Sequence, residues 1–297
     1  MFKGSITALI TPLKNGKVDE KAFQDLIEWQ IKQGSHGFVP CGTTGESPTL
    51  THEEHERVID LCIEAANGKV PVIAGTGSNS TDEAISLTKF SKGAGADAAL
   101  VVTPYYNKPT QEGLYHHFKA INDSCDLPII IYNIPGRSVV DINIETMKKL
   151  AKLKNIIGVK DSSNDLARPL LTTKSIGKNF CQISGEDATV VPFLSQGGHG
   201  CISVTANIVP RMCSDLHNAW QKGNFKKVQS LNSFLFPLHN VLFLETSPGP
   251  VKYAASLLKI CSEELRLPLV KVAPNTKKEI KSILTKLKIK PIKKNKC

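Results

Sequence analysis

Eight short apolar runs recur along the first 205 residues: "SITALITP" (5–12), "GFVPCG" (37–42), "VPVIAGTG" (70–77), "DAALVVTP" (97–104), "LPIIIYN" (127–133), "NIIGVK" (155–160), "FCQISG" (180–185) and "GCISVT" (200–205). They are apolar throughout instead of alternating with polar positions, which predicts strands buried on both faces. Segments with helical spacing lie between them. In "EKAFQDLIEWQIKQG", Phe23, Leu26, Ile27 and Ile31 fall on one stripe, and "DEAISLTKFSKGAG" is a second such segment. Gly34 and Gly95 stand where these two helices should stop. Strand–helix alternation argues for a parallel sheet. Eight such units fit an α/β fold of the (β/α)8 TIM-barrel type, with an open doubly wound sheet as the alternative. "NIVPRMCSDLHNAWQKG" reads as the last barrel helix. The expected division is a barrel over residues 1–223 and a C-terminal α-helical appendage with a Lys-rich tail over 224–297.

Composition changes this picture little. The chain of 297 residues is 41% hydrophobic and 22% charged, ordinary for a soluble globular protein. Its net charge of +10 would suggest nucleic acid, but residues 277–296 hold nine lysines and one glutamate and so carry most of the excess. That stretch lacks the arginines and aromatics of a nucleic-acid surface and reads as a solvated face. No apolar run approaches the length of a membrane span. The start, "MFKGSITALITP", has none of the three regions of a signal peptide. The eight cysteines are scattered without a CxxC pair, so free thiols and a cytoplasmic location are expected. "HEEH" (52–55) spaces its histidines three apart instead of four. "GTGSNS" (75–80) lacks the last glycine of a dinucleotide fingerprint, and no GxxxxGK[ST] occurs. No metal, nicotinamide or nucleotide cofactor is expected.

In a barrel of this kind the chemistry collects at the C-terminal ends of the strands. Those ends supply Thr11, "GTTGE" (42–46), Thr76, Thr103, Tyr105, Tyr106, Tyr132, Lys160, Gly185 and Ser203. Lys160 closes an apolar strand, an unusual place for a residue so rarely buried. A lysine in a partly dry pocket loses its proton more easily, and the neutral amine can attack a carbonyl to form a Schiff base. The bland alternative is that Lys160 merely pairs with Asp161 or with a neighbouring loop. "CGTTGES" (41–47) offers two hydroxyls and several N–H groups that could hold a carboxylate, or could simply open a helix. Tyr132 can move a proton if its phenol joins other hydroxyls. Arg137 can take a carboxylate in a two-pronged contact.

"GSITALITP", "GTTGES", "VTPYYNKPTQEGLYHHFKAI", "PIIIYNIPGR", "NIIGVKD", "ISGED" and "GGHGCISVTANI" resemble the dihydrodipicolinate synthase family of class I Schiff-base lyases, over about residues 1–270. The resemblance implies condensation of pyruvate with L-aspartate 4-semialdehyde, the first committed step toward diaminopimelate and lysine. It makes Lys160 the Schiff-base lysine, and Thr43, Tyr132 and Tyr106 a hydroxyl relay. Thr44 holds the pyruvate carboxylate, and Arg137 the semialdehyde carboxylate. Gly185 and Ile202 line the pocket through backbone groups. Tyr106 reaches a neighbouring subunit, so a dimer is the minimal unit and a homotetramer the usual one. Ser47, His52, His55, Asn79, Glu83 and Tyr105 match the site where lysine inhibits regulated members. Without the resemblance, the two histidines and Glu83 would be read as helix-end residues. Pro48 and Ser247 depart from the family pattern. Two alternatives stay open: a sister lyase of the N-acetylneuraminate lyase or 2-keto-3-deoxygluconate aldolase type, and a barrel that binds without turnover. No nucleic-acid or membrane partner is expected.

Overall fold

In the computed structural model, which describes residues 1–292, eight parallel strands pair in one ring. Along the chain run β1 (Gly4–Ala8), a small hairpin of β2 (Leu13–Lys14) and β3 (Lys17–Val18), α1 (Glu20–Lys32), β4 (Gly37–Val39), α2 (His52–Ala66), β5 (Ile73–Gly75), α3 (Thr81–Ala94) and β6 (Ala98–Val102). Then come α4 (Gln111–Ser124), β7 (Ile129–Asn133), the short α5 (Pro135–Ser138), α6 (Ile144–Leu150), β8 (Ile156–Asp161), α7 (Arg168–Ile176), β9 (Cys181–Ser184), α8 (Val190–Ser195), β10 (Gly200–Ser203) and α9 (Pro210–Gln221). Three further helices follow: α10 (Phe225–Val241), α11 (Gly249–Leu257) and α12 (Pro274–Lys286).

The strand order is β4-β1-β10-β9-β8-β7-β6-β5, and a parallel bridge from Phe38 to Val72 joins the two ends. The closure makes this a (β/α)8 TIM barrel and not an open doubly wound sheet. It also explains why the strands do not alternate. One set of side chains, including Ile6, Val39, Ile73, Leu100, Ile130 and Ile183, fills the barrel. The other set packs outward on the helices, as Val101, Ile129 and Ile131 do against Leu114 and Phe118 of α4. Both faces are therefore dry.

Several elements differ in detail from the sequence expectation. The strands are shorter than the apolar runs. In "GFVPCG" pairing stops at Val39, because Pro40 has no N–H to donate and Cys41 turns left-handed (φ 54°). α1 buries Phe23, Leu26 and Ile27, but its fourth buried position is Gln30 and not Ile31. The Gln30 amide is held by Thr7, Ser35 and the Ala206 carbonyl, a polar clamp between α1, β1 and the end of β10. α1 ends at Gly34 (φ 85°) and α3 at Gly95 (φ 96°), the positive-φ conformations that favour glycine. "TTGE" does not open a helix: it forms a 3-10 turn, and α2 begins later on a capping box of Thr51 and Glu54.

The C-terminal helices share a buried cluster with the barrel's own helices: Leu235, Leu238, Val251 and Ile280 join Phe23 and Val58. The seven described cysteines are unpaired, and Cys297 lies outside the described residues. So do Lys293, Lys294 and Lys296 of the Lys-rich tail. Among the described residues, no helix is long and apolar enough to cross a membrane.

Candidate active site

Lys160 is set by its strand. On β8, Gly158 and Lys160 share the inward parity, and Lys160 registers with Tyr132 of β7 on one side and Ile183 of β9 on the other. The lysine is 7% exposed, and its Nζ lies 3.8 Å from the centre of the Tyr132 ring. Among the described residues no ion pair joins Lys160 to a carboxylate. Asp161 faces the other way, where its carboxylate accepts from Asn133 (3.1 Å), from the Ser163 N–H (2.9 Å) and from the Ser163 hydroxyl (2.5 Å). Arg168 closes that group at 3.7 Å. Lys160 therefore does not pair with Asp161, the first half of the bland alternative. Adjacent residues of a strand point to opposite faces, and the two charges are separated by the sheet itself.

Gly185 follows β9 and crosses directly over the lysine. Its N–H donates to the Asp161 carbonyl (2.8 Å). A Cβ here would sit 1.8 Å from Ser162 Oγ and 3.0 Å from Lys160 Cε, so a larger residue would push on the Ser162 and Lys160 side chains. Ile202 is buried on β10, with its side chain in the barrel interior. Thr43 and Thr44 form the first part of a 3-10 turn (Thr43–Gly45) that leaves β4. Pro48 lies in a second such turn, Ser47–Thr49. Arg137 is exposed on α5, immediately beyond Tyr132 and β7. Tyr106 is 91% exposed and left-handed (φ 73°), so within one chain it stands outside this group.

The hydroxyls expected to ring the lysine are fewer than the strand ends suggested. Thr11 donates to the Gly45 carbonyl (2.7 Å), Thr76 bonds Thr88 (2.9 Å) and Thr103 bonds Ser138 (3.0 Å). These three hydroxyls are engaged in bonds between segments of the fold. Ser247, in the departure from the family pattern, is buried and its hydroxyl has no partner among the described residues.

Two acids after β9 were not singled out from the sequence. Burial pushes the Glu186 carboxyl up, against the pull of Lys160 and, more weakly, Arg137. Glu186 thus lies within electrostatic reach of both the amine and the rim cation. Asp187 is buried and accepts from Ser203 Oγ (2.5 Å) and from the N–H groups of Val204 (2.9 Å) and Thr205 (3.1 Å), tying the ends of β9 and β10 together. The only local signal was a pair of acids just past a strand end in "ISGED".

A second group gathers behind the turn. His52 Nε2 meets Glu83 Oε1 at 2.7 Å, and the Ser78 hydroxyl also donates to Glu83. Each member shifts the other: the hydrogen bond to Glu83 raises the His52 pKa, and bonds from Ser78 and His52 lower that of Glu83. His55 is buried against the Gly75 carbonyl (2.7 Å), and burial lowers its pKa. Asn79 is joined through its carbonyl to Asn107 (2.9 Å), two residues after Tyr105. Among the described residues no cluster of His, Cys, Asp and Glu could hold a metal ion.

A closed barrel presenting a buried amine against a tyrosine ring at its mouth belongs to the class of barrels built for covalent chemistry on a carbonyl. The model of the dihydrodipicolinate synthetase family matches residues 1–287, and the chain belongs to that family. It is 64% identical over 286 residues to the 4-hydroxy-tetrahydrodipicolinate synthase of Rhodospirillum centenum, covering 96% of this chain and 98% of that one. Two solved structures are similar over 97% of this chain. One is the chloride-inhibited dihydrodipicolinate synthase of Acinetobacter baumannii complexed with pyruvate (TM-score 0.95, 44% identity, all of that chain covered). The other is the enzyme from Cyanidioschyzon merolae with lysine bound (TM-score 0.94, 36% identity, 99% of that chain covered).

Proposed function

We propose that the protein condenses pyruvate with L-aspartate 4-semialdehyde to 4-hydroxy-tetrahydrodipicolinate, in the biosynthesis of diaminopimelate and lysine. The observation that carries this reading is Lys160, buried at a strand end against Tyr132, with no carboxylate ion-paired to it among the described residues. The Lys160 amine attacks the ketone of pyruvate, and water leaves as the imine forms. Loss of a methyl proton then gives the enamine, whose carbon bonds to the aldehyde carbon while the aldehyde oxygen takes up a proton. The amine of the semialdehyde then adds to the imine carbon and Lys160 leaves, closing the ring and freeing the enzyme. Tyr132 gives and takes protons at the imine carbon's substituents, with Thr43 and a neighbouring copy's Tyr106 completing the relay; the approach of Lys160 Nζ to the Tyr132 ring supports this role. Thr44 and the N–H groups of its turn hold the pyruvate carboxylate, and Gly185 and Ile202 wall the pocket. The exposed, left-handed Tyr106 supports a dimer as the working unit, in a homotetramer built as a dimer of dimers. The biosynthetic role supports the cytoplasm as its location.

Arg137 sets the choice of second substrate. A guanidinium at the rim suits a small acid, whereas a sugar-cleaving sister lyase needs hydroxyl-binding groups there. The purified protein is expected to turn over pyruvate with the semialdehyde but not to cleave N-acetylneuraminate or 2-keto-3-deoxygluconate. Arg137→Ala is expected to lower kcat/KM for the semialdehyde at least about tenfold, since a charged two-pronged contact contributes roughly 1.5–3 kcal/mol. Cleavage of either sugar acid, or unaltered semialdehyde kinetics in the variant, would overturn this reading.

The group of Ser47, His52, His55, Asn79, Glu83 and Tyr105 supports L-lysine as an effector. Glu83 offers a carboxylate for the ammonium, and imidazole, amide and hydroxyl groups stand near for the carboxylate. Tyr105 adjoins Tyr106, which gives the ligand a short physical route to the relay. Initial rates at rising lysine are expected to show partial inhibition at millimolar concentration, weakened by His55→Ala or Glu83→Ala. Calorimetry showing neither binding nor slowing at those levels would make the group purely structural.

A further inference from the structure

The turn that carries Thr43 and Thr44 is held from beneath by residues far along the chain. Lys252, on α11, donates from Nζ to Glu46 Oε1 (2.6 Å) and to the Thr11 carbonyl (3.0 Å). Thr11 passes the contact on, its hydroxyl donating to the Gly45 carbonyl (2.7 Å). The other carboxylate oxygen of Glu46 accepts the Arg266 backbone N–H (3.1 Å). The Arg266 guanidinium reaches the Thr49 carbonyl (2.7 Å) and both carboxylate oxygens of Glu54 (2.5 and 2.6 Å). Glu46 also closes the turn itself, donating its N–H to the Thr43 carbonyl (3.2 Å).

Two unfavourable features coincide at Glu46. Its side chain and that of Lys252 form an ion pair at 1% and 0% exposure. Such a pair is seldom the most stable filling of its space, because apolar side chains of similar volume often do as well. Glu46 is also left-handed (φ 57°), a conformation that a non-glycine residue keeps only where its surroundings impose it. Neither feature is explained by stability alone, and both adjoin the Thr43–Gly45 turn. Turn and pair are joined by a short chain of hydrogen bonds, from Lys252 Nζ to the Thr11 carbonyl and from the Thr11 hydroxyl to the Gly45 carbonyl that ends the turn.

We propose that the buried Lys252–Glu46 pair is a positioning device for the Thr43–Thr44 turn, through which α11 sets the geometry of the keto-acid carboxylate site. The assignment rests on the condensation reaction proposed above. Lys252 and Glu46 are positioning residues: neither touches the reacting atoms, and both act through the backbone of the turn. The pair therefore governs pyruvate and leaves the rim contacts of the semialdehyde alone.

The test compares the wild type with the Lys252→Met/Glu46→Leu double variant, which removes both charges and leaves neither stranded. Pyruvate KM is expected to rise at least about tenfold, since small misplacements of positioning groups cost that much or more. Borohydride trapping of sub-saturating pyruvate should slow by a similar factor. The semialdehyde KM should stay within about threefold and the melting temperature within a few degrees. Should the double variant not fold, Glu46→Asp decides: it keeps the ion pair but draws the carboxylate back by one methylene, and should raise pyruvate KM selectively in a cooperatively folded protein. Wild-type pyruvate KM and trapping in a folded double variant, or in Glu46→Asp, would overturn the proposal. So would an equal rise in KM for both substrates. Failure of the wild type itself to trap pyruvate would instead overturn the reaction assigned to the site, and the pair's role with it.

Discussion

Reduction with borohydride in the presence of pyruvate is expected to add one pyruvate-derived mass to the peptide containing residues 155–163, and Lys160→Ala to abolish both that adduct and turnover. The expected loss is roughly a thousandfold or more, the scale on which removing a covalent nucleophile acts. The geometry singles out this lysine among the many in the chain. Among the described residues Lys252 is the other deeply buried one, but it is spent on Glu46 and the Thr11 carbonyl. Lys160 is buried with its amine over the Tyr132 ring and without a carboxylate partner among the described residues. A folded Lys160→Ala protein that still trapped pyruvate, or a wild-type adduct on another peptide, would remove the basis of the mechanism.

Tyr132→Phe carries the second largest expected effect. The variant keeps the ring, and with it the packing against Lys160 Nζ and the register between β7 and β8. Only the phenolic oxygen goes. Imine formation must expel water and enamine formation must move a proton, and a positioned acid–base group contributes about 10²–10⁴-fold to such steps. Turnover is therefore expected to fall by that range while the melting temperature stays within a few degrees of the wild type. Trapping on Lys160 should slow without vanishing, because the amine remains. A Tyr132→Phe enzyme within about threefold of wild-type kcat would show that another group moves the proton.

How much of this was legible beforehand depended on the distance over which each feature is decided. The apolar runs and their intervening helical stripes marked all eight barrel strands, although Pro40 and the left-handed Cys41 cut "GFVPCG" short. Lys160 was legible because an amine at the end of an apolar run is anomalous whatever surrounds it. Arg137 was legible as a cation just past a strand end, and "GTTGES" as a turn, though not as the 3-10 turn that precedes α2. Gln30 escaped notice because it lies on a helix stripe where only an apolar residue is expected. The bonds of the Thr11, Thr76 and Thr103 hydroxyls are not legible in the sequence, because their partners lie 12 to 35 positions away.

By itself, then, the sequence determined the barrel class, the run of strand ends and the chemical identity of the groups they carry, because periodicity and strand parity are local properties of the chain. Only the tertiary structure decided which of those groups meet. It turned Asp161 away from Lys160, laid Gly185 across the lysine, brought Glu186 within reach of both Lys160 and Arg137, and joined Lys252 to Glu46 across 206 positions. The reason is physical: a buried polar group must find its partner wherever barrel closure places one, and no local pattern records that choice.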